Sequence, residues 1–265
     1  MSRIPITAGR GAFGHDPAAY AAARPDYPDA LYARLAERCG LKPETAVFEI
    51  GAGTGLATRR LLAMGASPLR AIEPDPRLAD YLRRTIASDA LIIDEAAFED
   101  AVLAPGGFDL GVAATSFHWL EQAPALAKTR AALKPGGWWA MGWNNFGGDG
   151  PDAFQTATDH LFVDTPDGPT QGQNGRPSFS LDQEARLADL AAAGFEDAEA
   201  RVWRWTAVYD TARVIALYRT FSPIQALAPD KREAFLIALA RIADDPFGGR
   251  VERPFITTLY TARRP

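Results

Sequence analysis

The chain has 265 residues, 47% of them hydrophobic and 23% charged, with a net charge of −5 and a pI near 5.3. This is an ordinary soluble composition, enough for one large domain or two small ones, and its acidic balance argues against a protein built to grip nucleic acid. A single cysteine excludes an internal disulfide framework and fits a reducing cytosol. No uncharged apolar run approaches the ~18 residues of a spanning helix, and MSRIPITAGRGAFGH at the N-terminus lacks an apolar core of signal-peptide length. The expectation is a cytoplasmic protein without a membrane contact.

Residues 1–16 are glycine-rich and aperiodic, which predicts a mobile or lightly packed arm. An alanine-rich stretch with Tyr20 leads to Arg24-Pro25-Asp26-Tyr27-Pro28, where Pro28 is placed to open a helix as its first residue. That helix carries Leu31, Leu35 and Cys39 at helical spacing and stops near Gly40. Cys39 reads as a small buried apolar residue. Val47–Ile50 is a buried-strand run that breaks at Gly51-Ala52-Gly53-Thr54-Gly55 into a helix with Ala57, Leu61 and Met64 on one face. A second strand, Leu69–Ile72, ends at Glu73. Asp75-Pro76 reads as an N-cap with proline at the first helical position, opening a helix with Leu78, Tyr81, Leu82 and Ile86 on one face.

Ala90–Ile93 is read as a third buried strand, Phe108–Ala113 as a fourth and Trp138–Trp143 as a fifth. A helix near 120–133 precedes the fifth and is closed by Lys134-Pro135-Gly136-Gly137. Five strands alternating with helices predict parallel βαβ units with right-handed crossovers. The second half changes character. Residues 144–180 are rich in Gly, Asp, Asn and Pro, with a short helix near Asp152 to Phe162. Ser180 to Gln183 resembles a capping box before a helix that stops at Gly194. A strand near 198–208, helices over Thr211–Phe221 and Asp230–Ala243, and a strand over Phe255–Ala262 complete the chain. The reading is one domain. It comprises an arm and cover helix over 1–40, a core over 45–143, and lid-like insertions over 144–180 and 209–250.

In an open parallel sheet, ligands bind outside the carboxyl ends of the strands, so the glycine turn and Glu73 face one crevice. Glycines there let the backbone approach a ligand closely. The dinucleotide pattern G-x-G-x-x-G fails because Leu56 stands where its third glycine belongs, and there is no phosphate-cradling G-x-x-x-x-G-K-[ST]. Glu73 lies 20 residues past Gly53, suited to accept from ribose hydroxyls. A nucleoside site is the reading these residues support, with a purely structural turn as the alternative.

Glu49-x-Gly51-x-Gly53-x-Gly55 after a strand, an acid ending the next strand, FDLGVAA and ALKPGG together resemble the class I S-adenosylmethionine-dependent methyltransferases over residues 45–143. The Tyr20…Arg24-Pro25-x-Tyr27-Pro28, Ala97-Phe98-Glu99 and Phe117-His118-Trp119 segments are similar to the type 11 small-molecule enzymes, including relatives of trans-aconitate methyltransferase. The resemblance implies an α/β, Rossmann-like, seven-stranded and mostly parallel sheet with an antiparallel last strand, helices on both faces and helical lid insertions. It implies S-adenosylmethionine as cofactor, its methionine moiety held by Glu49 and the backbone of Gly51, Ala52 and Gly53. Glu73 would take the ribose and Pro74, Ala97 and Phe98 would lie by the adenine. Ala114 and Thr115 would pass under the sulfonium. Tyr20, Arg24 and Tyr27 would close over the cofactor, with Arg24 pairing with its carboxylate.

Methyl transfer asks the protein mainly for orientation and electrostatics. Among three histidines, His118 is the one beside the fourth strand's carboxyl end, as a general base, an acceptor-orienting hydrogen bond, or a residue that only shapes the pocket. His15 and His160 read as surface residues. Trp119 and Trp143 are candidates for an aromatic acceptor pocket and, with less support, Trp203 and Trp205; simple packing is the competing reading. No cluster has metal-ligand spacing, and no G-x-S-x-G elbow is present. The expected activity is methyl transfer to a small-molecule acceptor. The rivals are another reaction on the same cofactor and a non-catalytic regulatory role. Nucleic acid is disfavoured as acceptor because Ala114-Thr115-Ser116-Phe117 stands where an N-P-P-Y-type motif would be.

Overall fold

In chain order the strands are β1 (Val47–Ile50), β2 (Leu69–Ile72), β3 (Leu91–Asp94), β4 (Phe108–Ala114), β5 (Leu133–Phe146), β6 (Glu196–Asp210) and β7 (Arg250–Arg263). The computed structural model describes residues 13–167 and 177–265; most of the expected N-terminal arm and residues 168–176 of the first insertion lie outside the described residues. The seven strands form one sheet in the order β3-β2-β1-β4-β5-β7-β6. The first five run parallel and β7 pairs antiparallel with both β5 and β6, so the antiparallel last strand is as expected.

The helices are α1 (Pro17–Ala23), α2 (Asp29–Cys39), α3 (Leu56–Ala63), α4 (Pro76–Thr85), α5 (Gln122–Ala132), α6 (Ala153–Thr158), α7 (Gln183–Ala192), α8 (Thr211–Arg219), α9 (Ser222–Gln225) and α10 (Pro229–Asp244). None of the described helices is long and apolar enough to cross a membrane. Helix ends follow local chemistry. Gly40 closes α2 in the left-handed conformation at φ 68°, and the Asp75 carboxylate accepts from the Arg77 amide to open α4.

Alternation along the central strands divides the core into two layers. Phe48, Trp139 and Met141 pack on one face with Phe117, Leu126 and Leu190, whereas Val47, Leu110 and Ala140 pack on the other with Leu31, Leu35 and Leu61. Gly111 in β4 makes this possible: a Cβ there would come within 2.4 Å of the Phe48 ring. A third core lies outside the sheet, where Phe154, Leu217, Tyr218, Leu236 and Phe255 join α6, α8 and α10 to the far ends of β6 and β7.

Several expectations shift. Pro28 is the cap before α2, not its first residue, because its extended ψ of 146° precedes the helix. The third strand begins at Leu91 and lies at the sheet edge, so it is only half-buried, with Ile92 exposed by 49%. β5 runs from Leu133 to Phe146 because β7 extends its pairing to Phe146↔Phe255. Asp182, rather than Ser180, caps α7 by accepting from the Ala185 amide, while Ser180 bonds to Asn145. The short α9 was not anticipated. His15 and His160 are exposed and Cys39 is buried, as read from the sequence.

A buried ion pair ties the insertion over 144–180 to the sheet. Arg253 of β7 donates two hydrogen bonds of 2.8 and 2.9 Å to Asp152, the cap of α6, and Arg253 is 3% exposed. A buried pair resists loss of one partner because the other charge is then stranded. Arg253→Ala is expected to lower unfolding free energy by ~3 kcal/mol, measurable by urea denaturation; a change below ~1 kcal/mol would show that the pair does not anchor the excursion.

Candidate functional site

At the carboxyl ends of β1, β2, β4 and β5 the structure opens into a cavity of about 460 Å³. It sits where the strand order reverses from β1 to β4, the position at which a parallel sheet leaves room for a ligand. The glycine turn forms its floor. Gly51 has φ +67°, and a Cβ on it would lie 2.6 Å from the Ser116 Cβ, so only glycine lets the ends of β1 and β4 come this close.

The amides of this turn are already used. Gly51 and Ala52 both donate to the Ile72 carbonyl, at 2.8 and 3.2 Å, and Gly53 donates to Glu73 Oε2 at 2.7 Å. Any further hydrogen bonding from these three residues to a ligand is therefore as acceptors. Glu73 also accepts from the Asp75 amide at 2.9 Å, so its carboxylate is fixed at the tip of β2. Burial pushes it up to about 7. Glu49, the third residue of β1, is 1% exposed and accepts from Thr58 Oγ1 at 2.6 Å. Burial pushes it up to about 8, with the charge of Glu73 adding to the effect. Neither carboxylate has a cationic partner among the described residues.

Over this floor lies the segment from α1 to α2. The Tyr27 hydroxyl is 2.5 Å from Thr115 Oγ1, and burial raises its pKa. Thr115 is itself a non-glycine residue at φ +56°, held there by its amide bond to Gly142 O at 2.7 Å. Such strain persists only where surrounding contacts enforce it and tends to mark functional positions. Arg24 projects between the rings of Tyr20, Phe146 and Phe221, 5.1 to 5.4 Å from their centroids, and donates to Thr220 O at 3.2 Å. Its Nε is buried without a partner, and no carboxylate pairs with it among the described residues.

The opposite end is aromatic. His118 lies beside the rings of Trp119, Trp143 and Phe179, and the Trp143 indole N–H donates to His118 Nδ1 at 3.0 Å. Burial alone pushes the imidazole down to about 3, so it is neutral. Among the described residues no group of three or more His, Cys, Asp or Glu could hold a metal ion.

Of the residues singled out in the sequence, Tyr20, Arg24, Tyr27, Glu49, Gly51, Ala52, Gly53, Glu73, Pro74, Phe98, Ala114, Thr115, His118, Trp119 and Trp143 all line this one cavity. Ala97 does not. Its carbonyl accepts from the Asp100 and Ala101 amides at 3.0 Å, turning the chain so that Phe98 and Glu99 reach the cavity instead. Trp203 and Trp205 are packing residues; Trp205 stacks on Phe255 with ring centroids 4.4 Å apart. Sequence reasoning missed Ser116, Asn144, Asn145, Ser180, Phe221 and Ser222, which also line it. Asn144 and Asn145 were findable, since they continue the fifth strand beyond its predicted carboxyl end. Phe221 and Ser222 carry no local signal.

The two raised carboxyls give stability a definite pH dependence. The folded state keeps protons on Glu49 and Glu73 that the unfolded chain releases near its ordinary value of 4.5, so their contribution is present at low pH and lost as pH rises toward about 8. Each loss runs at up to ~1.4 kcal/mol per pH unit. Between pH 5 and 8 the unliganded protein should lose thermal stability, and Glu49→Gln should flatten that decline. An equally steep decline in the variant would remove Glu49 as a source.

Residues 48–141 match the model of a family described as "Methyltransferase domain". An uncharacterized methyltransferase of Mycobacterium tuberculosis is 32% identical over 136 residues, 50% of this chain and 51% of that protein; the chain thus matches about half the length of such relatives. A structure described as a type II methyltransferase from Anaeromyxobacter dehalogenans superposes with a TM-score of 0.65 at 20% identity, covering 91% of this chain and 97% of that one. Haemonchus contortus phosphoethanolamine N-methyltransferase 2, solved with phosphomonomethylethanolamine and S-adenosylhomocysteine, superposes at 0.56 and 12% identity, covering 97% of this chain and 57% of that one. Residues 48–141 thus match a methyltransferase-domain family, within a chain whose seven-stranded, mostly parallel sheet shares the Rossmann-like fold of these methyltransferase structures.

Proposed function

We propose that the chain binds S-adenosylmethionine and transfers its methyl group, by in-line displacement, to a small-molecule acceptor rather than to nucleic acid, acting in the cytoplasm. The observation that carries this reading is the pair Glu49 and Glu73, two buried carboxyls without a cationic partner among the described residues, on either side of a turn whose Gly51, Ala52 and Gly53 amides are spent. A ligand suited to that floor brings an ammonium for Glu49 and hydroxyl donors for Glu73, which together describe an aminoacyl nucleoside. When bound, S-adenosylmethionine supplies an electrophilic sulfonium methyl, and the chain supplies binding, orientation and exclusion of water.

Arg24, with no carboxylate partner among the described residues, is the cation for the cofactor's carboxylate. Tyr20 and Tyr27 cover that end, Pro74 and Phe98 flank the adenine, and Ala114 and Thr115 pass under the reacting centre. The cavity continues past Thr115 to His118, Trp119 and Trp143, leaving room for a planar or apolar acceptor. That open space favours an enzyme over a non-catalytic regulator. The excursions carrying Ser180 and Phe221 act as lids over it.

Calorimetry with S-adenosylhomocysteine tests the cofactor assignment. Glu73→Ala is expected to weaken binding by roughly 100-fold through loss of two charge-assisted hydrogen bonds. Because Glu49 must give up its proton to pair with an ammonium, affinity should rise with pH between about 6 and 8, with proton release in that range. Absence of binding by S-adenosylmethionine and S-adenosylhomocysteine, with binding of NAD, would sink the reading. An acceptor screen that detects S-adenosylhomocysteine release and a gained methyl by mass then identifies the substrate.

A further inference from the structure

The bond between Trp143 and His118 fixes the chemistry of the histidine. An indole N–H can only donate, so at 3.0 Å the His118 Nδ1 must present a lone pair to it. A doubly protonated ring would set one N–H against another. A neutral ring with its lone pair on Nδ1 carries its proton on Nε2. That second nitrogen has no hydrogen-bond partner among the described residues, and the ring lines the cavity.

We infer that His118 is a fixed hydrogen-bond donor to the methyl acceptor through Nε2–H, held in that tautomer by Trp143, and not a general base. The inference rests on the proposed methyl transfer for its substrate but not for its geometry. A base at this position needs a free lone pair aimed at the acceptor, and the one lone pair on the ring is taken by the indole. The acceptor therefore presents an accepting oxygen to His118 and arrives with its own reacting lone pair free, as an oxyanion or an uncharged amine. No proton passes through His118. A proton left on a methylated amine goes to water.

The other titratable groups on the cavity wall come from several elements. Tyr20, Arg24 and Tyr27 come from the covering segment, Glu49 from β1, Glu73 from the end of β2, and Glu99 from the turn after β3. Of these, Tyr27 is bonded to Thr115 and raised by burial, while Glu49 and Glu73 are committed to the floor. Beyond the cavity wall, Arg186 of α7 packs on the Phe179 ring and is itself bonded to Asp189.

Long-range proton–nitrogen spectra of ¹⁵N-histidine-labelled protein test this directly. His118→Gln identifies the His118 signals by their loss. The expected pattern is Nε2-protonated and Nδ1-unprotonated, unchanged from pH 5 to 8. An Nδ1-protonated ring, or titration of His118 in that range, would overturn the inference. Trp143→Phe should release the constraint, giving mixed tautomers or titration; a ring still locked as Nε2–H would remove Trp143 as the positioning residue. Should that variant not fold, the wild-type spectrum still decides the tautomer.

With any acceptor found in the screen, His118→Phe should raise KM roughly tenfold with little change in kcat, and His118→Gln, which keeps a donor, should restore KM to within a few-fold. A kcat loss of at least about 100-fold with disappearance of an acid limb would instead mark a base. Calorimetry with S-adenosylhomocysteine on the same samples separates the two levels. No cofactor binding beside the expected tautomer overturns methyl transfer and leaves the ring assignment standing. Binding beside the wrong tautomer overturns only the role of His118.

Discussion

Two carboxyl groups held out of water within one crevice, with no cation to answer them among the described residues, set the terms for the rest of this structure. Glu49 is placed by the third residue of a strand buried on both faces, and Glu73 by the backbone of the turn that follows the neighbouring strand. Desolvating a carboxylate is costly unless something repays it, and here Thr58 and the Gly53 and Asp75 amides do so only in part. Their raised pKa values reflect that deficit. The unliganded fold thus holds an unmet electrostatic demand where the strand order reverses, one that a ligand of the proposed cationic, hydroxyl-bearing kind would meet.

The rest of the cavity differs in origin and stiffness. The floor belongs to the parallel sheet, where Gly51 and Ser116 are jammed together and Thr115 is held in a conformation it would not choose alone. The walls come from three segments distant in sequence: the covering stretch with Arg24 and Tyr27, the first excursion with Ser180, and the second with Phe221. Arg24 joins the first of these to the last by packing among Tyr20, Phe146 and Phe221. A guanidinium among aromatic faces keeps its charge available at modest desolvation cost.

Legibility in the sequence followed the range of the interactions. The glycine turn, Glu73, the caps at Gly40 and Asp75 and the parallel run of the first five strands all rest on contacts a few residues apart or on the βαβ rule, and these were readable. The edge position of β3 was not, because Leu91 to Ile93 are as apolar as a central strand and only the absence of a further neighbour exposes Ile92. Asp182 displaced Ser180 as a helix cap because Ser180 is drawn into a bond with Asn145, a partner 35 residues away. The acceptor side was least legible for the same reason. The state of His118 depends on Trp143, 25 residues on, and nothing in the Phe117-His118-Trp119 motif announces that bond.

The placement of β7 between β5 and β6 has a consequence for the order in which the molecule can be assembled. As the chain is synthesised, β1 to β5 can pair with one another as soon as they are made, completing the glycine turn and both acidic groups. β6 comes next but waits for its partner, which among the described residues is β7, about forty residues later. Until then the third core, shared by both excursions and β7, has no platform. The glycine-turn side of the cavity can therefore form early as a local product of consecutive strands, whereas the wall proposed to face the acceptor is completed only once β7 is made.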